Sequence, residues 1–224
     1  MTYDEYISYH MGGDAGVEEK MIASLCSHFK LSRWDSFRLV YYYTTTYHIP
    51  SALKLLQNHN TPKKELKFRT DRRYVRIGDT YDKIIRQLSP ALLEELDEAE
   101  TTTEQYRIVS NWYFFGRYAT FLFLEVWAKI SGKSVTDDLV MNFEHDENYT
   151  KGAEIVAESC NKADLEAFVE SVKNDTKDNV FAIETSLCAV AKLKKGTRWN
   201  GFYTERLLAD IAGTEFEPLI MSLL

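Results

Sequence analysis

Apolar residues return at the helical period along most of this chain. Val17, Met21, Leu25 and Phe29 recur at every fourth position with Ile22 alongside, which predicts a first helix over Val17–Phe29, capped by Asp14. Ser32 followed by Asp35 gives a capping-box-like start to a second helix, with Trp34, Phe37, Tyr41 and Thr44 on one face. The run Leu39–Tyr47 is rich in β-formers, so a strand competes there; the retained period and the lack of a following turn pair favour helix. Pro50 closes that helix, and residues 51–57 make a short third one.

A polar break, Asn58–Pro62, leads into a basic stretch that ends at Gly78-Asp79. Tyr81, Ile84, Ile85 and Leu88 form the next helical face, and Leu92, Leu93 and Leu96 continue it beyond Pro90. Thr101–Ile130 reads as the strongest helix: Val109, Trp112, Gly116, Ala119, Phe123, Val126 and Ile130 hold the period, while Phe114, Phe115, Phe121, Leu122 and Leu124 fill the other face. A helix apolar nearly all round belongs at the centre of a helical protein. Arg117 and Glu125 interrupt it, and a charge there must be paired or must face a polar cleft. Further helices are expected around residues 155–159 and 165–172, from Asn179 to Val190, and from Gly201 through Leu207, Leu208 and Ile211. The pattern gives an all-α fold: one compact multi-helix domain over residues 1–224, with residues 1–15 as a loosely packed segment.

Composition changes this picture little. Apolar residues make up 45 % and charged residues 27 %, an ordinary globular balance, but the 13 % aromatic content points to a ring-lined core or cleft. Cys26, Cys160 and Cys188 are scattered, with no pair at metal or redox spacing, which suits a reducing cytoplasm. The acidic, polar start is no signal peptide, and the apolar stretch Trp112–Ile130 is too charged to span a membrane.

Charge is more informative. The chain carries a net −7, yet residues 63–76 hold seven cations (Lys63, Lys64, Lys67, Arg69, Arg72, Arg73, Arg76) against Glu65 and Asp71, a local +5. Phe68 and Tyr74 are interleaved with them. Arginine forks fit phosphate oxygens and rings stack on bases, so an anion site and a solvated cationic loop both fit. A second basic run, Lys192–Arg198, precedes Gly201 and a helix start, an arrangement that can hold a phosphate on backbone N–H groups or be a plain capped helix. Walker, dinucleotide-binding, zincin and nucleophile-elbow motifs are absent, and the spacing in Glu144-His145-Asp146-Glu147 matches no standard ligand set. His28 and His48 fall late in predicted helices, where contact with the helix end accounts for them. Basic patches, many rings and a few carboxylates among apolar residues suit an enzyme that grips a phosphorylated, stackable ligand through a local basic face.

Four stretches together resemble the bacteriophage amino acid:DNA transferases of thymidine hypermodification: Tyr41-Tyr42-Tyr43-Thr44-Thr45-Thr46-Tyr47, Thr70-Asp71-Arg72-Arg73-Tyr74-Val75-Arg76, Gly116-Arg117-Tyr118, and Trp199-Asn200-Gly201-Phe202-Tyr203-Thr204-Glu205-Arg206. The likeness spans roughly residues 14–212. It implies a helical protein distantly like helix–hairpin–helix DNA glycosylases, although the hairpin glycines of that group are not evident. It also implies double-stranded phage DNA and a free amino acid as partners, in the cytoplasm of an infected host. In that chemistry an amino acid amine, typically of glycine, displaces pyrophosphate from a 5-hydroxymethyluracil base. Arg72, Arg73 and Arg76, backed by Arg69 and Arg117, would clamp the leaving group. Asp71, Glu125 or Glu205 would take the amine proton. Arg198 or Arg206 would hold the amino acid carboxylate, and Tyr42, Tyr43, Trp112 or Trp199 would stack on the flipped base. No cofactor is required, though Mg²⁺ could accompany the pyrophosphate. A related base-modifying or base-excising, glycosylase-like enzyme and a helical adaptor that docks an acidic partner on the arginine cluster are the alternatives.

Overall fold

The computed structural model describes residues 16–69, 80–133, 135, 147–159, 183, 187, 190, 191, 195 and 204–224. Asp71, Arg72, Arg73, Arg76, Arg198, Trp199 and the cap Asp14 lie outside the described residues, as do His145 and its acidic neighbours at 144 and 146. Regular structure among the described residues is entirely helical. Ten α-helices are bounded: α1 Val17–His28, α2 Arg33–Thr46, α3 Ile49–Gln57, α4 Thr80–Gln87, α5 Pro90–Glu98, α6 Thr102–Asn111, α7 Arg117–Ser131, α8 Glu147–Ser159, α9 Thr204–Ile211 and α10 Glu217–Leu223, with a 3₁₀ turn at Lys63–Glu65. The chain divides into two compact units.

The smaller unit comprises residues 1–17 and 135–203. In it, Ala153, Val156 and Ala157 of α8 are buried, as are Ile183, Leu187, Val190 and Ala191, which are helical as the pattern predicts. Gly152 is required by close approach: a Cβ there would collide with the Leu187 carbonyl.

The larger unit, residues 18–134 and 204–224, is organised around α2. This helix packs on α3, α5 and α7; α6 packs on α5 and α7, and α9 packs on α3. The helix prediction for the tyrosine-rich run holds. Ser32 caps it as expected, its Oγ accepting from Asp35 N–H at 3.0 Å. Tyr47 ends it in the left-handed region, at φ 52°, so the chain turns at once. The third helix begins at Ile49, two residues earlier than the sequence suggested, because Pro50 sits in its first turn, where a missing N–H costs nothing.

Rings form the core. Phe37 lies 5.6 Å from Phe123 and from Trp127 and 5.8 Å from Trp112, mostly edge to face. Tyr41 stacks on Phe115 at 5.1 Å. The single helix expected over Thr101–Ile130 is in fact two, broken at residues 112–116. A capping box at Thr101 and Glu104 starts α6, and Phe114 takes φ 71° in the break before Gly116 caps α7. Gln87 satisfies the broken backbone: Tyr113 N–H donates to its Oε1 at 2.7 Å, and its Nε2 donates to Tyr113 O at 2.9 Å. Trp112 and Phe115, within the break, are both buried against the core.

Charges tie the far end of this core. Arg33 grips Asp97 through two nitrogens at 2.8 and 2.5 Å and donates to Ser131 O at 3.1 Å, with its guanidinium over the Trp127 ring. Lys133 Nζ donates to the carbonyls of Leu96, Asp97 and Ala99 and so caps the C-terminal end of α5.

Phe37→Ala should cost about 3–5 kcal/mol of unfolding free energy, because a fully buried ring leaves a cavity among five others. Phe29→Ala, at a position 47 % exposed, should change it by less than about 0.5 kcal/mol. Urea denaturation of both variants measures the difference.

Candidate functional site

The candidate site is a charged cluster inside the larger unit, where α2 ends and α3 begins. His48 is the N-cap of α3, not a late helix residue. Its Nδ1 accepts from Ser51 N–H at 3.2 Å and lies 2.8 Å from Ser51 Oγ. An Nδ1 that accepts carries no proton, so the ring hydrogen is on Nε2, which faces Asp210 Oδ1 at 3.4 Å. Ser51 Oγ in turn accepts from Lys67 N–H at 2.8 Å.

Ser51, His48 and Asp210 are the residue types of a hydrolytic relay, but Ser51 is buried and its oxygen is engaged by backbone. The set acts as a structural lock. It fixes the chain just before the basic stretch, where Arg69 N–H also donates to Thr46 O at 3.0 Å. Lys67 Nζ at 3.3 Å and the Arg69 guanidinium join His48 on the same Asp210 oxygen. Burial raises the Asp210 carboxyl, but hydrogen bonds from His48 and Arg69 outweigh it and hold the group below its usual range.

Beside this lock sits a second buried pair. Glu18, on α1, is only 2 % exposed. Its Oε2 accepts from Tyr43 O–H at 2.8 Å, and its Oε1 faces Arg206 Nε at 3.4 Å. Arg206 also donates from Nη2 to Tyr47 O at 3.2 Å, and its guanidinium lies 4.3 Å over the Tyr47 ring. The two clusters touch, since Arg69 Nη2 donates to Arg206 O at 3.3 Å. Burial pushes the Glu18 carboxyl up to about 7, against the opposing pull of Arg206 and of the Tyr43 hydroxyl. Next to it, Glu19 is wholly buried, and both its carboxylate oxygens lack a hydrogen-bond partner among the described residues.

Of the residues singled out in the sequence, Arg69, Arg206 and Tyr43 are brought together here. Glu125 is buried on α7, and its charge acts on Glu19. Glu205 is exposed in the first turn of α9, away from apolar surroundings. Arg117 starts α7 with its guanidinium 4.8 Å over the Phe121 ring. Tyr42, Tyr43 and Trp112, expected to stack on a base, are buried in this conformation. Tyr42 bonds His59 Nδ1 at 2.6 Å, Tyr43 is committed to Glu18, and Trp112 lies among Phe37, Phe115 and Phe123.

Glu18 and Asp210 were missed in the sequence, yet each left a signal. Glu18 lies three, four and seven residues before Met21, Ile22 and Leu25, on the apolar stripe of its helix. Asp210 follows Leu207 by three residues on the buried face of α9. An acid on an apolar stripe announces a buried partner. Among the described residues, no group of three or more His, Cys, Asp or Glu side chains is placed to hold a metal ion, and no helix is long and apolar enough to cross a membrane.

Two outcomes follow from the geometry. Asp210→Ala should cost about 3–5 kcal/mol, since His48, Lys67 and Arg69 would face one another around an empty centre, whereas Asp97→Ala at the more exposed pair should cost about 1 kcal/mol or less. Glu18 takes up its proton more readily folded than unfolded. Its contribution is therefore complete below the ordinary carboxylate range and is lost as pH rises through about 7. Glu18→Gln should remove about 3 kcal/mol of the stability lost between about pH 5 and about pH 8, read from urea midpoints at the two pH values.

No family model, curated protein or solved structure matches this chain, so its chemistry has to be argued from these residues.

Proposed function

We propose that the protein is a DNA-modifying transferase. It joins the amine of an amino acid, glycine first among candidates, to a pyrophosphorylated 5-hydroxymethyluracil base. In the step, the amine nitrogen forms a bond to the base methylene carbon, and the carbon–oxygen bond to pyrophosphate breaks. The electron pair leaves with the pyrophosphate, and the surplus proton on nitrogen passes to a carboxylate.

The observation that carries this reading is Glu18: a carboxyl held at about 7 between a tyrosine hydroxyl and an arginine, one contact away from the base of the Arg-rich stretch. A proton acceptor works best when its pKa lies near the working pH, and an ordinary surface carboxylate is a far weaker base. Glu18 is accordingly preferred to Asp71, Glu125 and Glu205 for this role. Arg72, Arg73 and Arg76 follow the locked Lys67–Arg69 segment by a few residues and are the groups assigned to the pyrophosphate charge. Arg206 is assigned to holding Glu18, which leaves Arg198 for the amino acid carboxylate. Mg²⁺ can accompany the pyrophosphate without a protein ligand.

A second reading has its own support. Glu18 and Arg206 neutralise each other inside the core, as structural pairs do, and the exposed charge would then belong to the basic stretch alone. On that reading the protein is a helical adaptor docking an acidic partner.

The test is direct. DNA carrying pyrophosphorylated 5-hydroxymethyluracil is incubated with the protein and single amino acids, then digested to nucleosides for mass spectrometry. The transferase reading expects an aminoacyl-thymidine mass with wild type, and a turnover lower by about 10²–10⁴-fold in Glu18→Gln with DNA affinity retained. It also expects weakened binding of this DNA in the double variant Arg72→Ala, Arg73→Ala. Release of a free base would instead indicate excision, and no product with any amino acid would leave the adaptor.

A further inference from the structure

Glu19 has no part in the chemistry above, and its placement is the least comfortable in the larger unit. It is wholly buried one residue after Glu18, in the first turn of α1. Neither carboxylate oxygen has a hydrogen-bond partner among the described residues. The charged and titratable groups that act on it come from two helices: Glu18 from its own turn, and Glu125 and Lys129 from α7. It acts in turn on Tyr43 and Tyr47 of α2, while Arg206 and Asp210 of α9 act on its neighbour Glu18. The nearby cations are therefore engaged elsewhere or outweighed.

A buried carboxyl whose oxygens find no geometric hydrogen-bond partner among the described residues is tolerable only while it keeps its proton. Burial first, and the Glu125 charge second, hold that proton well above the ordinary range; its own backbone N–H and, less strongly, Lys129 oppose them.

We propose that Glu19 is a pH-sensitive latch on the first turn of α1: its uncharged carboxyl lets the turn stay buried beside α7, and loss of the proton to solvent drives the turn out. Glu18 shares that turn, so opening also withdraws Glu18 from Tyr43 and Arg206. The latch thereby links proton concentration to the integrity of the candidate site, and it does so whether or not the transferase reading holds.

Above about pH 7, where Glu18 has already lost its proton, opening releases the one proton of Glu19, and the opening equilibrium gains up to about tenfold per pH unit until the closed turn itself titrates. Amide hydrogen exchange of the full chain measures this, comparing a peptide over residues 17–28 with one over residues 117–131 between about pH 7 and about pH 9, each corrected for the intrinsic rate. Wild type should lose α1 protection with rising pH by up to about tenfold per unit, while the α7 peptide does not follow. Glu19→Gln should flatten the loss and Glu18→Gln should keep it. Glu125→Gln, which removes the second cause of the raised affinity, should bring the loss to an end at lower pH. Wild-type α1 protection that does not change with pH overturns the proposal without any variant. An equal loss in Glu19→Gln overturns it as well, and so does a loss in Glu125→Gln that ends at the same pH as in wild type.

Discussion

The larger unit depends on a demand that buried charge be answered by opposite charge. At the junction of α2 and α3 the chain buries Asp210 and Glu18, and it answers them with Arg69 and Lys67, beside the neutral His48 ring, on one side and Arg206 on the other. Neither acid has a cationic partner on its own helix. Asp210 is met by residues about 140 and 160 positions earlier, and Glu18 by one almost 190 positions later. The pairing therefore holds together pieces of chain that local propensity would leave unrelated. Such pairs add little net stability over an apolar core, but one arrangement satisfies all of them and a shifted one leaves a bare charge.

That constraint also holds the start of the basic stretch, at Lys67 and Arg69. Residues 67–69 are held by backbone to the end of α2 and the start of α3, and by side chain to α9. The arginines at 72, 73 and 76 follow this fixed point along the chain. The same junction carries Glu18, the carboxyl whose proton affinity suits work near neutral pH. A candidate base and the root of a candidate clamp are thus consequences of one packing solution.

The ring core plays a complementary part. Phe37, Trp112, Phe123 and Trp127 pack mostly edge to face around α2, and this fixes the helix whose end builds the charged junction. The tyrosines of α2 divide their duties along its length. Tyr41 hydrogen-bonds Ile84 O and Gln87, Tyr42 meets His59, and Tyr43 reaches Glu18. Each buries a ring and still satisfies its hydroxyl, which is why a run that looked like strand former or base platform is central core.

Periodicity by itself determined that this is a helical protein, where α1 runs and α2 begins, and that Ser32 caps α2, because spacing and caps are local properties of the chain. It could not show the break at residues 112–116, since that break is stable only with Gln87 in place to take up the Tyr113 backbone groups. The sequence marked the basic island by charge and named Arg69 and Arg206 within it and beyond it. That these two meet, and that Glu18, His48 and Asp210 complete the cluster, was decided by tertiary structure, because the partners of a buried charge are chosen by packing in space and their separation along the chain carries no record of it.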